Sequence, residues 1–232
     1  NKSVDVSEAY VETIEDKTWL SDKIIPYHLY LKFLYEYFKK DLNQADEINL
    51  YNTPDGFIEL DYQTQAVINA KKILSEYGGV FISDVVGLGK TFICAMLANQ
   101  LNGKHLVIAP PVLLDKENPG SWTNAFEDFG VRQSNFVSIG KLDTLLDGNS
   151  DKYENVFIDE AHRMRNADTA TYEKLTEICR GKKVILVSAT PYNNSPMDIF
   201  SLVKLFQKPR NSTLPLLKNL DSFFKNLDRN IK

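Results

Sequence analysis

Val80-Phe81-Ile82-Ser83-Asp84-Val85-Val86-Gly87-Leu88-Gly89-Lys90-Thr91 runs directly into Phe92-Ile93-Cys94-Ala95-Met96-Leu97-Ala98. The first three residues read as a short buried strand, the last seven as a helix, and the glycine-bearing stretch between them as a loop. That order suits a phosphate chain. Glycines let backbone N–H groups wrap the phosphates, and the start of the helix adds its positive end. Gly87, Leu88 and Gly89 are therefore expected to line a phosphate cradle. Lys90 would reach the β- and γ-phosphates of ATP, and the Thr91 hydroxyl would ligate Mg2+. Asp84 stands where the general GxxxxGK[ST] pattern has its first glycine.

Outward from this loop, apolar and β-branched runs recur at Leu106-Val107-Ile108-Ala109, Phe136-Val137-Ser138-Ile139, Val156-Phe157-Ile158 and Val184-Ile185-Leu186-Val187, separated by longer stretches able to form helices. Runs apolar on both faces suit a parallel sheet covered by helices, so the expected class is α/β. Val156-Phe157-Ile158 ends in Asp159-Glu160-Ala161-His162. Ligands of such sheets bind beyond the carboxyl ends of the strands. Asp159 is thus suited to hold magnesium and Glu160 to polarise an attacking water in phosphoryl transfer. Ser188 and Thr190 follow the next buried strand, where they could bond to the carboxylate loop and report the nucleotide state.

The chain has 232 residues, 43% hydrophobic and 25% charged, which fits a globular protein with one substantial core and an accessory segment. No apolar run reaches the ~18 residues of a membrane span. Cys94 and Cys179 lack metal-ligand spacing and read as packed thiols, consistent with a cytoplasmic setting. A formal net charge of −4 does not announce a nucleic-acid binder. Residues 1–55 differ in texture, with an expected helix over the aromatic-rich Tyr27 to Lys40, and the turn formers Asn52 to Gly56 mark a boundary. Residues 56–232 are expected to form the principal domain. A start at Asn1 and an end at Lys232 without a closing element lead to the expectation that the sequence is a fragment.

These motifs resemble those of the first motor domain of superfamily 2 helicases, and more narrowly of the Snf-type ATPases. Asp84 to Thr91 is similar to their motif I, DE(M/V)GLGKT, in which Asp occupies the first position. Asp159-Glu160-Ala161-His162-Arg163-Met164-Arg165-Asn166 is similar to motif II, DEAHRxKN, and Ser188-Ala189-Thr190-Pro191 to motif III. The resemblance implies a RecA-like P-loop NTPase domain, with helices on both faces of a mainly parallel sheet and a small helical segment ahead of it. His162, Ser188 and Thr190 would couple the loops. Glu59-Leu60-Asp61-Tyr62-Gln63 is similar to the family's LxPYQ segment, making Gln63 the candidate reader of adenine, with Gln65 as the alternative. Val107 to Leu114 and the following Trp122 are similar to motif Ia and its trailing tryptophan, which implies contact with a DNA backbone; Ser138 to Lys141 is a poorer match to motif Ib. Asp198 to Phe206 resembles the helix leading toward a second RecA-like domain, which would act in cis, supply an arginine finger, and has no counterpart in this sequence.

The expected function is the ATP-binding half of a translocase on duplex DNA. One alternative is a strand-separating helicase or a restriction or phage-defence motor subunit. Another is a nucleotide-dependent module in which residues 1–55 bind a protein partner. Arg163 to Asn166 and Asp198 to Phe206 favour the translocase branch.

Overall fold

The computed structural model describes residues 54, 57, 58, 60–83, 89–164, 169–189, 195–215 and 218–231. The aromatic segment expected over Tyr27 to Lys40 lies outside these residues, as does most of the expected boundary turn, although Phe57 N–H does donate to Pro54 C=O at 3.0 Å.

Five strands occur where apolar runs were expected: β1 Gly79–Ile82, β2 His105–Ala109, β3 Ser134–Ser138, β4 Asn155–Ile158 and β5 Lys183–Val187. All neighbours pair in parallel, in the order β1-β5-β4-β2-β3. Alternation along the strands sorts their side chains into two layers. Val107, Phe157, Ile185 and Val80 face one core with helices α1 Asp61–Tyr77, α2 Lys90–Asn99 and α4 Trp122–Asp128. Leu106, Ile108, Val156, Val184 and Leu186 face the other, with the 3₁₀ segment Ile139–Leu145 and helices α5 Ala170–Cys179 and α6 Pro196–Val203. A short α3, Pro111–Leu114, follows β2, and α7, Leu220–Ile231, packs Phe224 on Phe200 of α6 with ring centroids 5.2 Å apart. The architecture is thus the expected RecA-like parallel α/β sheet.

Local chemistry sets the helix starts. Ser121, Thr169 and Ser195 cap α4, α5 and α6 by accepting from backbone N–H groups two or three residues on. Asp61, at a position where the related motif carries proline, is the first residue of α1, where a carboxylate favours the positive end of the helix. Gly79 admits a close approach that no other residue could, because a Cβ there would lie 2.1 Å from the Phe206 ring.

Two elements end sooner than expected, and both also start earlier. β3 ends at Ser138, and Ile139 opens the 3₁₀ segment. The helix expected over Asp198 to Phe206 begins at Pro196 and ends at Val203, because Leu205 turns into the second core while Phe206 covers Gly79. Both cysteines are buried and free, as their spacing suggested.

Candidate nucleotide site

The strand order brings the motif loops together. β5 lies between β1 and β4, so the ends of these three strands, from which the Lys90 loop, Ser188 and Asp159 issue, are lateral neighbours. Register places them at one level: Ile82 pairs with Val187, Ile158 with Leu186, and Ile108 with Ile158. Past the paired residues, Ser188 N–H donates to Ile82 C=O at 3.3 Å and Asp159 N–H to Ile108 C=O at 2.9 Å.

Gly89 caps α2 in the left-handed region, with φ of 77°. A Cβ on it would sit 2.7 Å from Nε2 of Gln63, so the amide end of Gln63 lies close against the N-cap of α2 and would have to shift for any larger residue. Gln63 belongs to the buried stripe of α1 with Val67, Ala70 and Leu74. Gln65 faces outward and bonds to Asn69 instead, at 3.3 Å. Of the two glutamines, only Gln63 is next to the loop. Lys90 and Thr91 open α2, both half-buried; Gly87, Leu88 and Thr190 lie outside the described residues.

Asp159 is only 8% exposed. Its Oδ2 accepts the indole N–H of Trp122 at 2.6 Å and its Oδ1 accepts the backbone N–H of Glu160 at 2.7 Å. Burial pushes the Asp159 carboxyl above the usual carboxylate range; the Trp122 and Glu160 bonds and the Lys90 charge oppose that rise, whereas the Glu160 carboxylate adds to it. Lys90 and Asp159 therefore feel each other electrostatically. Cys94, one helical turn after Lys90, is raised well above the ordinary thiol range, chiefly by burial and further by Asp159.

Glu160 itself takes a left-handed backbone, φ 52°, uncommon for a residue with a Cβ. Its carboxylate meets His162, whose Nδ1 lies 3.1 Å from both Glu160 Oε2 and Ser188 Oγ. His162 and Ser188 thus meet across the β4 and β5 loops, and a proton on Nδ1 would link the carboxylate and the hydroxyl.

Trp122 requires a correction. The motif resemblance implied a surface contact with a DNA backbone, but the side chain is 1% exposed and packs against Phe126 and Phe157, with centroids 5.7 and 6.1 Å away. The exposed groups near the ends of β2 and β3 include Pro111, Val112, Asp115, Lys116, Glu117, Gly140, Lys141 and Asp143, a surface of mixed charge. Sequence reasoning missed the bond from Trp122 to Asp159. The available signal was that a buried tryptophan N–H seeks an acceptor.

A magnesium site needs only one or two carboxylates when phosphates and water supply the remaining oxygens. The described residues contain no cluster of three or more His, Cys, Asp or Glu able to hold a metal without such help. One desolvated carboxylate that feels the Lys90 charge fits that requirement.

A parallel sheet in the order β1-β5-β4-β2-β3, with a glycine-capped lysine helix after β1 and a carboxylate pair after β4, is a RecA-like α/β fold. Residues 122–231 match the family described as SNF2-related domain. The chain is 26% identical over 175 residues to the uncharacterized ATP-dependent helicase YqhH of Bacillus subtilis, covering 66% of this chain and 30% of that protein. It is also 26% identical over 203 residues to chromodomain-helicase-DNA-binding protein 1-like of Danio rerio, covering 73% of this chain and 19% of the relative. A human DNA repair and recombination protein RAD54-like is 31% identical over 85 residues, 33% of this chain and 11% of its own length. The chain therefore spans less than a third of these relatives. The fold is similar to the Sulfolobus solfataricus SWI2/SNF2 ATPase core solved in complex with dsDNA, with TM-score 0.56 and 18% identity over 67% of this chain and 37% of that one.

Proposed function

We propose that this chain is the ATP-binding half of a superfamily 2 motor that couples ATP hydrolysis to movement on duplex DNA. The observation that carries the reading is the buried Asp159, held at both oxygens and electrostatically linked to Lys90 at the start of α2. Lys90 would bind the β- and γ-phosphates, and Gly87, Leu88 and Gly89 would present backbone N–H groups to them. Gln63, against Gly89, would read the adenine edge. Thr91 and Asp159 would hold Mg2+, which would supply positive charge to offset the negative charge that develops during transfer.

Glu160 would orient and deprotonate the attacking water. Its link through His162 to Ser188 gives the state of the catalytic carboxylate a path to the loop after β5. In the proposed full motor a second RecA-like domain in cis supplies an arginine to the transition state, a contribution of about 10³ to 10⁵ in rate. Duplex DNA would lie along the exposed ends of β2 and β3, where Lys141 would offer a phosphate contact and Lys116 would exchange its ion pair with Glu127 for one. The similar archaeal core was solved with dsDNA, which favours a duplex track over the strand-separating alternative.

Calorimetry with Mg2+ and ATP tests the site. Wild-type chain should bind and Lys90→Ala should not; equal affinity in the two removes the phosphate-loop assignment and the motor reading with it.

A further inference from the structure

We infer that Trp122 is a positioning residue for Asp159, fixing the orientation in which that carboxylate meets a divalent cation. The inference rests on the reading of Asp159 as a cation ligand. The two oxygens of Asp159 are held by donors from different elements, Oδ2 by the indole of α4 at 2.6 Å and Oδ1 by the Glu160 amide at 2.7 Å. Together they stop the carboxylate from rotating about its terminal bond. An ionised carboxylate has about four lone-pair sites, so each oxygen keeps one for an ion.

The indole is itself buried and held by its neighbours. It is wedged between Phe126 and Phe157, and the residues on either side of it are tied down. Ser121, fully buried, caps α4 by accepting from Asn124 N–H at 3.2 Å, and Thr123 Oγ donates to Leu114 C=O at 3.0 Å. Asn124 Nδ2 donates to the carbonyls of Lys116 and Asn118 at 2.9 and 2.8 Å. Asn118 Nδ2 in turn reaches Val112 C=O at 3.4 Å. Packing alone would need only a large ring at position 122. The ring N–H aimed at one oxygen of a buried carboxylate is an additional feature, and charge-assisted bonds of this kind are short and directional.

The test uses the full chain and a non-hydrolysable ATP analogue, with affinity measured in the presence and absence of Mg2+. Two changes are compared with wild type: Trp122→Phe, and replacement of Trp122 alone by benzothienylalanine, which keeps the ring volume but has sulfur in place of the N–H. In the sulfur variant the metal-free affinity should stay within about twofold of wild type. The gain in affinity conferred by Mg2+ should fall about tenfold, equivalent to about 1.4 kcal/mol. An unchanged Mg2+ gain overturns the inference, as does an equal fall of metal-free and metal-bound affinity, which marks a packing role. A Trp122→Phe chain that fails to fold leaves the sulfur variant to decide. Lys90→Ala is measured alongside: retention of wild-type affinity there removes the nucleotide-site reading itself, whatever the Trp122 variants do.

Discussion

Two glycines with nearly the same backbone angle allow the contact between Gln63 and the phosphate loop to be separated from backbone strain. Gly78 closes α1 with φ 74° and has no heavy atom within 4 Å of where a Cβ would lie, whereas Gly89, φ 77°, would place its Cβ 2.7 Å from Gln63 Nε2. Gly78→Ala should therefore show the conformational cost alone. Holding an L-residue in the left-handed region costs about 1–2 kcal/mol. Alanine also restricts the unfolded chain, which returns about 0.4–1 kcal/mol. The net loss is about 1 kcal/mol, or about 2–4 °C in melting temperature for a chain of this size. Nucleotide affinity should not change. Gly89→Ala carries the same backbone cost, and in addition Gln63 must swing away, because its flexible end yields before the Gly89 backbone does. Its ATP affinity should fall about tenfold, the loss of a well-placed polar contact worth about 1–1.5 kcal/mol. Gln63→Ala should reproduce most of that fall, with little further effect when combined with Gly89→Ala. Denaturant unfolding and calorimetry read the two quantities separately. If Gly89→Ala melts like Gly78→Ala and still binds ATP like wild type, the Gln63 contact is no part of a nucleotide site.

Glu160→Gln in the full motor should keep ATP affinity while DNA-stimulated turnover drops by about 10² or more, since only water activation is removed; equal loss of binding and turnover in steady-state and equilibrium assays contradicts that role. Phe157→Ala removes a fully buried ring that touches Trp122, Phe126 and His105, and should cost about 3–5 kcal/mol in urea unfolding. His105 is buried and held below its ordinary value of 6.5 by desolvation, with Glu154 opposing. The unfolded chain therefore takes up this proton first, so stability should decline as pH falls below about 6.5, and His105→Gln should flatten that slope in pH-dependent melts. Steady-state assays of residues 1–232 alone should show negligible ATPase and scarcely any stimulation by duplex DNA; robust stimulated turnover would mean that the site is completed without a second domain.

The strands, the lysine helix and the carboxylate pair were legible because each is encoded locally, in apolar runs and in residue types at fixed offsets. Gln63 and Gln65 could not be separated by motif resemblance, yet the 3.6-residue period of α1 puts one in the buried stripe with Val67, Ala70 and Leu74 and the other in solvent. The end of α6 at Val203 was hidden because the apolar pattern runs on through Leu205 and Phe206, whose side chains pack after a turn rather than along a helix.

By itself the sequence determined the α/β class, the five apolar runs that form strands among the described residues, and which side chains are candidates for phosphate and magnesium, since these depend on short-range periodicity and side-chain chemistry. Only the tertiary structure decided that β5 stands between β1 and β4, that His162 meets Ser188, and that Trp122 lies beneath Asp159 instead of on the surface. Those outcomes follow from pairings between residues tens of positions apart, where burial of both sheet faces selects one arrangement that no local pattern specifies.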